Sequence, residues 1–265
     1  MSNPYFYHPD WPVLHEDNHL LALYKPAGLL VQGDHTGATS LLDLAKVWLK
    51  ERYHKKGEVF LGLVHRLDRP VAGVMLFCRT SKAARRISEQ FRSGKIQKGY
   101  LAIVTGNLPR SSGQLIDHIE RHDNRSSRIT PTPTSASQEA RLSYQVLAAT
   151  ASSSLVDIRL ETGRHHQIRV QMSHLGHPIL GDLRYGAPAP LTQRQVALVA
   201  SKLTLYHPIT KEELCIPSPL PKGWPWPPDQ PASHGPPWDW RELYALICSS
   251  YRRSNSCSFC DTMKK

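Results

Sequence analysis

Short apolar runs punctuated by turn signals dominate this chain, and most are too brief for anything but a strand. Residues 19–25 form one such run, closed by Pro26-Ala27-Gly28. Residues 74–77 carry Val74 and Phe77, 100–104 end at Gly106-Asn107, and 141–147 and 155–160 alternate as half-buried strands do. Residues 196–206 and 214–216 have the pattern of closing strands. Helical spacing occurs in three places. Ser40 with Asp43 makes a capping box ahead of Leu41, Leu42, Ala45, Trp48 and Leu49, and that helix should stop before Lys55-Lys56-Gly57. Thr80 can cap a helix striped by Ala83, Ala84, Ile87 and Phe91, with Gly94 as its stop. Residues 164–175 put Ile168, Met172 and Leu175 on one side, and Gly176 ends that helix. Residues 121–137, rich in Ser, Thr and Pro and without a period, are expected to be a loop or insertion. Strands and helices mixed without a regular strand–helix–strand rhythm predict an α+β domain rather than a doubly wound one.

Charge narrows the partners. The 265 residues carry a formal net charge of +11. Each phosphate neutralised by Lys or Arg releases condensed counterion, so such an excess favours a polyanion. Lys82, Arg85, Arg86 and Arg92 share the outer face of the second predicted helix, a face suited to solvent or to RNA. The five cysteines, at 78, 215, 248, 257 and 260, do not make a disulfide framework, which fits a reducing compartment. Cys257-Ser258-Phe259-Cys260 lacks a second pair, so free thiols are expected there, not a metal site. The first ten residues lack the basic start and apolar core of a signal peptide, and no run approaches a membrane span. The expectation is a cytoplasmic protein. From 217 to 237 the composition turns to Pro and Trp, which suits an extended segment leaving the domain; 238–248 could add one short helix. We therefore expect a catalytic domain over 1–220 and a Pro/Trp-rich, partly disordered C-terminal extension over 221–265.

Three motifs follow one another in the chain. Gly62-Leu63-Val64-His65-Arg66-Leu67-Asp68-Arg69-Pro70 sets one carboxylate between two guanidiniums in a turn-like link. Gln97-Lys98-Gly99-Tyr100 opens an apolar run, and Thr162-Gly163-Arg164-His165-His166-Gln167-Ile168-Arg169 precedes His177-Pro178-Ile179-Leu180-Gly181-Asp182. Alone, Asp68 reads as a surface ion pair, Tyr100 as core packing and Arg169 as a phosphate contact. Together, in this order across residues 16–219, they resemble the RluA-type pseudouridine synthase family, in the form lacking an N-terminal RNA-binding module.

The resemblance implies an α+β catalytic fold with a mixed, largely antiparallel sheet, flanking helices and a central basic cleft. It implies isomerisation of uridine to pseudouridine in structured ribosomal or transfer RNA, on a nucleotide flipped out of its helix. In the family's pattern Asp68 is the catalytic carboxylate, Arg169 its partner, Tyr100 the ring that stacks on the base, and Arg66 fills the gap left by the flipped nucleotide. We add Arg69, Lys98, Arg164, His166, Arg85 and Arg86 as expected RNA contacts. His65 and His166 are expected to bond backbone and fix the Asp68 loop. No cofactor and no metal are expected: His165, His166, His174 and His177 crowd one segment without a ligand pairing such as HExxH. The expected partner is RNA, with no membrane, and the protein a monomer. Two departures stand out. Val71-Ala72-Gly73 replaces the family's Thr-Ser-Gly, which should alter loop hydrogen bonding without loss of activity. Gly99 stands where bulkier residues are common and is expected to add backbone freedom. A non-catalytic RNA-binding protein on this scaffold, or a hydrolase with Asp182 or Glu161 as second carboxylate, are the alternatives.

Overall fold

The computed structural model describes residues 13–226, apart from 36, 123–125, 192–194 and 222. Within them one 11-stranded sheet carries the chain. Its strands are β1 (Val13–Glu16), β2 (Leu20–Lys25), β3 (Gly62–Leu63), β4 (Ala72–Cys78), β5 (Gln97–Thr105), β6 (Ser112–Arg121), β7 (Ser127–Thr130), β8 (Ser137–Ala149), β9 (Ser153–Leu160), β10 (Leu198–Tyr206) and β11 (Glu213–Pro217). Helices α1 (Leu41–Arg52), α2 (Ser81–Arg92) and α3 (Gln167–His174) flank it. The order is β1-β2-β4-β10-β5-β9-β8-β6-β7, with β11 on β10 and β3 on β4. Every pairing is antiparallel except β4 with β10. The mixed, largely antiparallel α+β sheet expected from the sequence is the one found.

The helix caps act as their residue types dictate. Ser40 and Asp43 complete a reciprocal capping box at α1. Thr80 accepts from the Ala83 N–H at α2, and Gly94 past its end has φ +68°. One core cluster packs α1 and α2 on β2 and β4 through residues such as Leu41, Leu49, Ala83, Ile87, Leu21 and Phe77. A second gathers β5, β8, β9, α3 and the start of β10. Trp224, 6% exposed, packs into that second cluster, so the Pro/Trp segment lies back on the domain as far as it is described. Cys257, Cys260 and residues 238–248 lie outside the described residues.

Residues 121–137 are not the loop expected of them. β6 runs on to Arg121, β7 occupies 127–130, and β8 starts at Ser137. Only Ile129 supplies β7 with an apolar anchor, against Ile119, Ala140, Val170 and Tyr185. These partners are distant in sequence, which is why no local period betrays the strand.

The two halves of the sheet meet at one register row. Lys25 pairs with Gly73, Gly73 with Ala200, Ala200 with Tyr100, and Tyr100 with Ile158. Gly73 has φ +125°, and a Cβ there would fall 2.3 Å from the Ala200 carbonyl oxygen. Only glycine lets β4 and β10 approach this closely. The loop carrying Asp68 enters β4 at that seam.

Candidate active site

Three segments build the site around one guanidinium. Arg169 lies in the first turn of α3, its side chain 5% exposed. Its Nε donates to Asp182 Oδ2 at 2.6 Å and its Nη2 to Asp182 Oδ1 at 2.8 Å. The remaining Nη1 donates to Asp68 Oδ2 at 3.2 Å. Tyr185 lies under the same guanidinium, 5.0 Å from ring centroid to Cζ. Burial works against the charge, but Asp182, and after it Asp68, hold the Arg169 pKa above the usual value. Asp182 is 1% exposed and wholly engaged, whereas Asp68 keeps 26% of its side chain open. One carboxylate is spent on structure; the other faces outward.

Lys25 anchors the loop from beneath. Its side chain is fully buried, and Nζ donates to the carbonyls of Pro26 at 3.1 Å, Leu29 at 2.9 Å and Arg69 at 3.2 Å. Burial pulls its pKa down to about 7, with the Asp68 charge opposing that fall and Arg69 adding to it. Arg69 and Gly28 also bond reciprocally, Arg69 Nε to the Gly28 carbonyl at 2.9 Å and Gly28 N–H to the Arg69 carbonyl at 2.7 Å. The Leu76 N–H donates to His65 Nε2 at 2.9 Å, and His65 stacks on Phe91 at 5.2 Å. Burial lowers the His65 pKa to about 3, so the ring is neutral, with its proton on Nδ1.

The Thr162–Gln167 turn is tied by one buried amide. Gln167 Oε1 accepts from Thr162 Oγ1 at 2.7 Å and from the Arg164 N–H at 3.0 Å, while Nε2 donates to the Arg141 carbonyl at 3.0 Å. His166 then adopts φ 56°, ψ 23°, and α3 starts only at Gln167, later than the helical spacing suggested. A left-handed non-glycine residue costs about 1 kcal/mol or more and needs its surroundings to hold it. The His166 Nε2 is 3.6 Å from Asp68 Oδ2, and its Nδ1 is 2.7 Å from the Tyr185 hydroxyl.

Tyr100, in β5, is close enough that Asp68 adds to the rise in its phenol pKa caused mainly by burial. The ring therefore stays neutral and apolar at the site. Asp68, Arg169 and His166 are thus brought together, with Tyr100 near enough for the Asp68 charge to act on its phenol. Lys98 is half-buried at its rim, its Nζ donating to the Thr162 carbonyl at 2.8 Å, and burial lowers its pKa to about 8. Arg66 and Arg69 are exposed on the loop, and Arg164 spends its Nε on the Glu139 carbonyl at 2.8 Å. On α2 only Arg85 is exposed of the expected pair; Arg86 donates to the Pro208 carbonyl at 2.8 Å and is half-buried. His166 bonds a tyrosine hydroxyl and not backbone, as His65 does.

Several contributors escaped sequence reasoning. Asp182 was visible only as the acid after Gly181, and Tyr185, Lys25 and Ser127 carried no local signal. Gly99 has no left-handed φ; a Cβ there would fall 2.5 Å from Lys202 Cγ, so the position makes room for that lysine stem and does not loosen the backbone. Val71 and Ala72 are buried among apolar side chains, an environment that leaves a hydroxyl poorly placed. Among the described residues, no group of three or more His, Cys, Asp or Glu side chains is placed to hold a metal ion.

Fold and site together define an α+β protein in which one buried arginine presents a partly exposed aspartate. The family model described as RNA pseudouridylate synthase matches residues 19–174, and the chain belongs to that family, in its RluA-type branch. It is 34% identical over 224 residues to ribosomal large subunit pseudouridine synthase D of Xylella fastidiosa, a match covering 79% of this chain and 66% of that one. It is 35% identical over 230 residues to tRNA pseudouridine synthase C of Haemophilus ducreyi, covering 80% and 92%. The solved structure of human RNA pseudouridylate synthase domain containing 4 superposes with a TM-score of 0.68 at 30% identity, covering 80% of this chain and 89% of that one.

Proposed function

We propose that this protein isomerises uridine to pseudouridine at defined positions in structured ribosomal or transfer RNA. The conversion breaks the bond between C1′ and N1, turns the uracil within the site, and forms a bond between C1′ and C5. The hydrogen on C5 is lost and N1 regains a proton, so neither water nor a redox cofactor enters the balance. Asp68 is the group that acts at the ribose, as nucleophile or as base on the sugar. Its opening to solvent gives a flipped nucleotide access, and the Arg169 contact holds it aimed. Tyr100 offers a flat face to the detached uracil. Arg66, Arg69 and Arg85, exposed, suit phosphate contact; Lys98, Arg164 and Arg86 serve their turns and helix first.

The observation that carries this reading is the Arg169 fork, held rigid by a fully buried Asp182 and presented by its third nitrogen to a half-open Asp68. Hydrolysis with release of uracil would need a second carboxylate free to activate water, and Asp182 is occupied by both Arg169 bonds. No helix among the described residues is long and apolar enough to cross a membrane. We place the activity in the cytoplasm and on a monomer. Pseudouridine mapping by carbodiimide-blocked primer extension, on RNA from cells with and without the gene, tests the proposal. A stop that vanishes with the gene is expected; identical maps would refute it.

A further inference from the structure

We infer that Ser127 and Tyr185 are positioning residues that fix His165 and His166 in opposite tautomers, so that the His166 Nε2–H faces the Asp68 carboxylate. The inference rests on the function proposed above for Asp68, but its geometry is independent of it. The Ser127 backbone N–H can only donate, and it points to the Tyr185 hydroxyl at 2.9 Å, in a buried setting. That hydroxyl therefore accepts there, and its own proton is available to His166 Nδ1 at 2.7 Å. If Nδ1 carried a proton instead, the bare Nε2 lone pair would confront Asp68 Oδ2 at 3.6 Å, and the buried tyrosine proton would have to turn away from its neighbour. Only one assignment satisfies all three groups: Ser127 N–H to Tyr185 Oη, Tyr185 O–H to His166 Nδ1, and His166 Nε2–H toward Asp68.

Ser127 settles the second ring as well. Its hydroxyl donates to the His165 carbonyl at 2.7 Å, leaving oxygen lone pairs for His165 Nδ1 at 3.0 Å. His165 therefore carries its proton on Nδ1. The two rings stack at 3.8 Å between centroids with 23° between planes, so neither can turn without displacing the other. Burial, and behind it the Arg169 charge, takes the His166 pKa down to about 2, and burial also lowers that of His165, so both rings are neutral when the tautomers are chosen. The left-handed backbone of His166 has the same purpose: it turns the ring between Tyr185 and Asp68, and the hydrogen-bond chain holds it there. β7, a strand with a single apolar anchor, thus reaches the catalytic aspartate through two side chains.

The test is spectroscopic first. Full-length protein labelled with ¹⁵N-histidine, observed by long-range ¹H–¹⁵N correlation at pH 7, should show His166 protonated on Nε2 alone and His165 on Nδ1 alone, with His166→Gln and His165→Gln used to assign the signals. His166 protonated on Nδ1, or on both nitrogens, in the unaltered protein would overturn the inference. Tyr185→Phe should then lose the Nε2–H signature and lower turnover about tenfold or more, with RNA affinity unchanged, as expected when a base or its partner holds the wrong tautomer. Unchanged turnover in a folded Tyr185→Phe protein would also overturn it. Ser127→Ala keeps the backbone donor and should free His165 from its Nδ1 tautomer while His166 keeps its proton on Nε2; loss of the Nε2 tautomer at His166 would contradict the separate roles assigned. Absence of isomerase activity in the unaltered protein would refute the proposed function, while the histidine spectra would still decide the tautomers.

Discussion

Replacing Asp182 with asparagine should damage this protein more than replacing any exposed charge. The substitution leaves Arg169, 5% exposed, without the carboxylate that accepts its Nε and Nη2. Removing one member of a buried pair costs roughly 3–5 kcal/mol, because the other charge stays buried without compensation. Here the residual bond to Asp68, and the amide oxygen that takes the place of one carboxylate oxygen, hold the loss near the lower figure, about 3 kcal/mol. For a domain of this size each kcal/mol shifts Tm by roughly 2–4 °C, so Asp182→Asn should melt about 6–12 °C below the unaltered protein. The double variant Asp182→Leu with Arg169→Met removes both charges and fills similar volume. It should recover to within about 1–2 kcal/mol of the starting stability, because desolvation of the pair offsets much of its attraction. It should nevertheless be inactive, Asp68 having lost its counter-ion. Calorimetry with an isomerase assay on the same samples separates the two effects. A shift under about 2 °C for the single variant, or an active double variant, would refute the reasoning.

Other expectations follow from the same geometry. Tyr100→Leu removes a base-stacking face worth about 1–3 kcal/mol, or roughly 5- to 150-fold in turnover, whereas Tyr100→Phe should stay near the starting rate; equal losses would assign the role to the hydroxyl instead. Gly73→Ala would drive a Cβ to 2.3 Å from the Ala200 carbonyl at φ +125°, so the urea midpoint should fall by the equivalent of about 3 kcal/mol, and an unchanged midpoint would contradict the close approach of β4 and β10. Lys25 has a folded pKa of about 7 against 10.5 unfolded. Between those values the unfolded chain binds more protons, so its contribution makes stability rise with pH. Urea unfolding between pH 7 and 9 should show that rise, and Lys25→Met should flatten it; an equal slope in both would refute the lowered pKa of the buried Lys25 amine.

The legible parts of this fold were those specified by neighbours in sequence. Ser40 and Asp43, Thr80 and Gly94 mark helix ends with atoms only a few residues apart, and the caps form as read. The strands at Phe77 and at residues 102–104 were visible because both faces are buried there and the apolar run is unbroken. What was hidden depends on distant partners. Lys25 looks like a polar strand end, yet is fully buried because three carbonyls from two loops converge on it. Ser127 looks like any loop serine until β6 and α3 bring Tyr185 and His165 to it. Motif order brought Asp68, Tyr100 and Arg169 to notice; the chain's own spacing could not say that Asp182 completes the fork.

The decisive measurement is tritium release from RNA labelled at C5 of uridine, comparing the unaltered protein with Asp68→Asn. Joining C1′ to C5 must expel that hydrogen, so the unaltered protein should release one tritium per pseudouridine formed and no free uracil. Asp68→Asn keeps shape and surrounding charge, and should bind the RNA within a few-fold while releasing none. Continued release by Asp68→Asn, or uracil appearing in solution with the unaltered protein, would contradict the account.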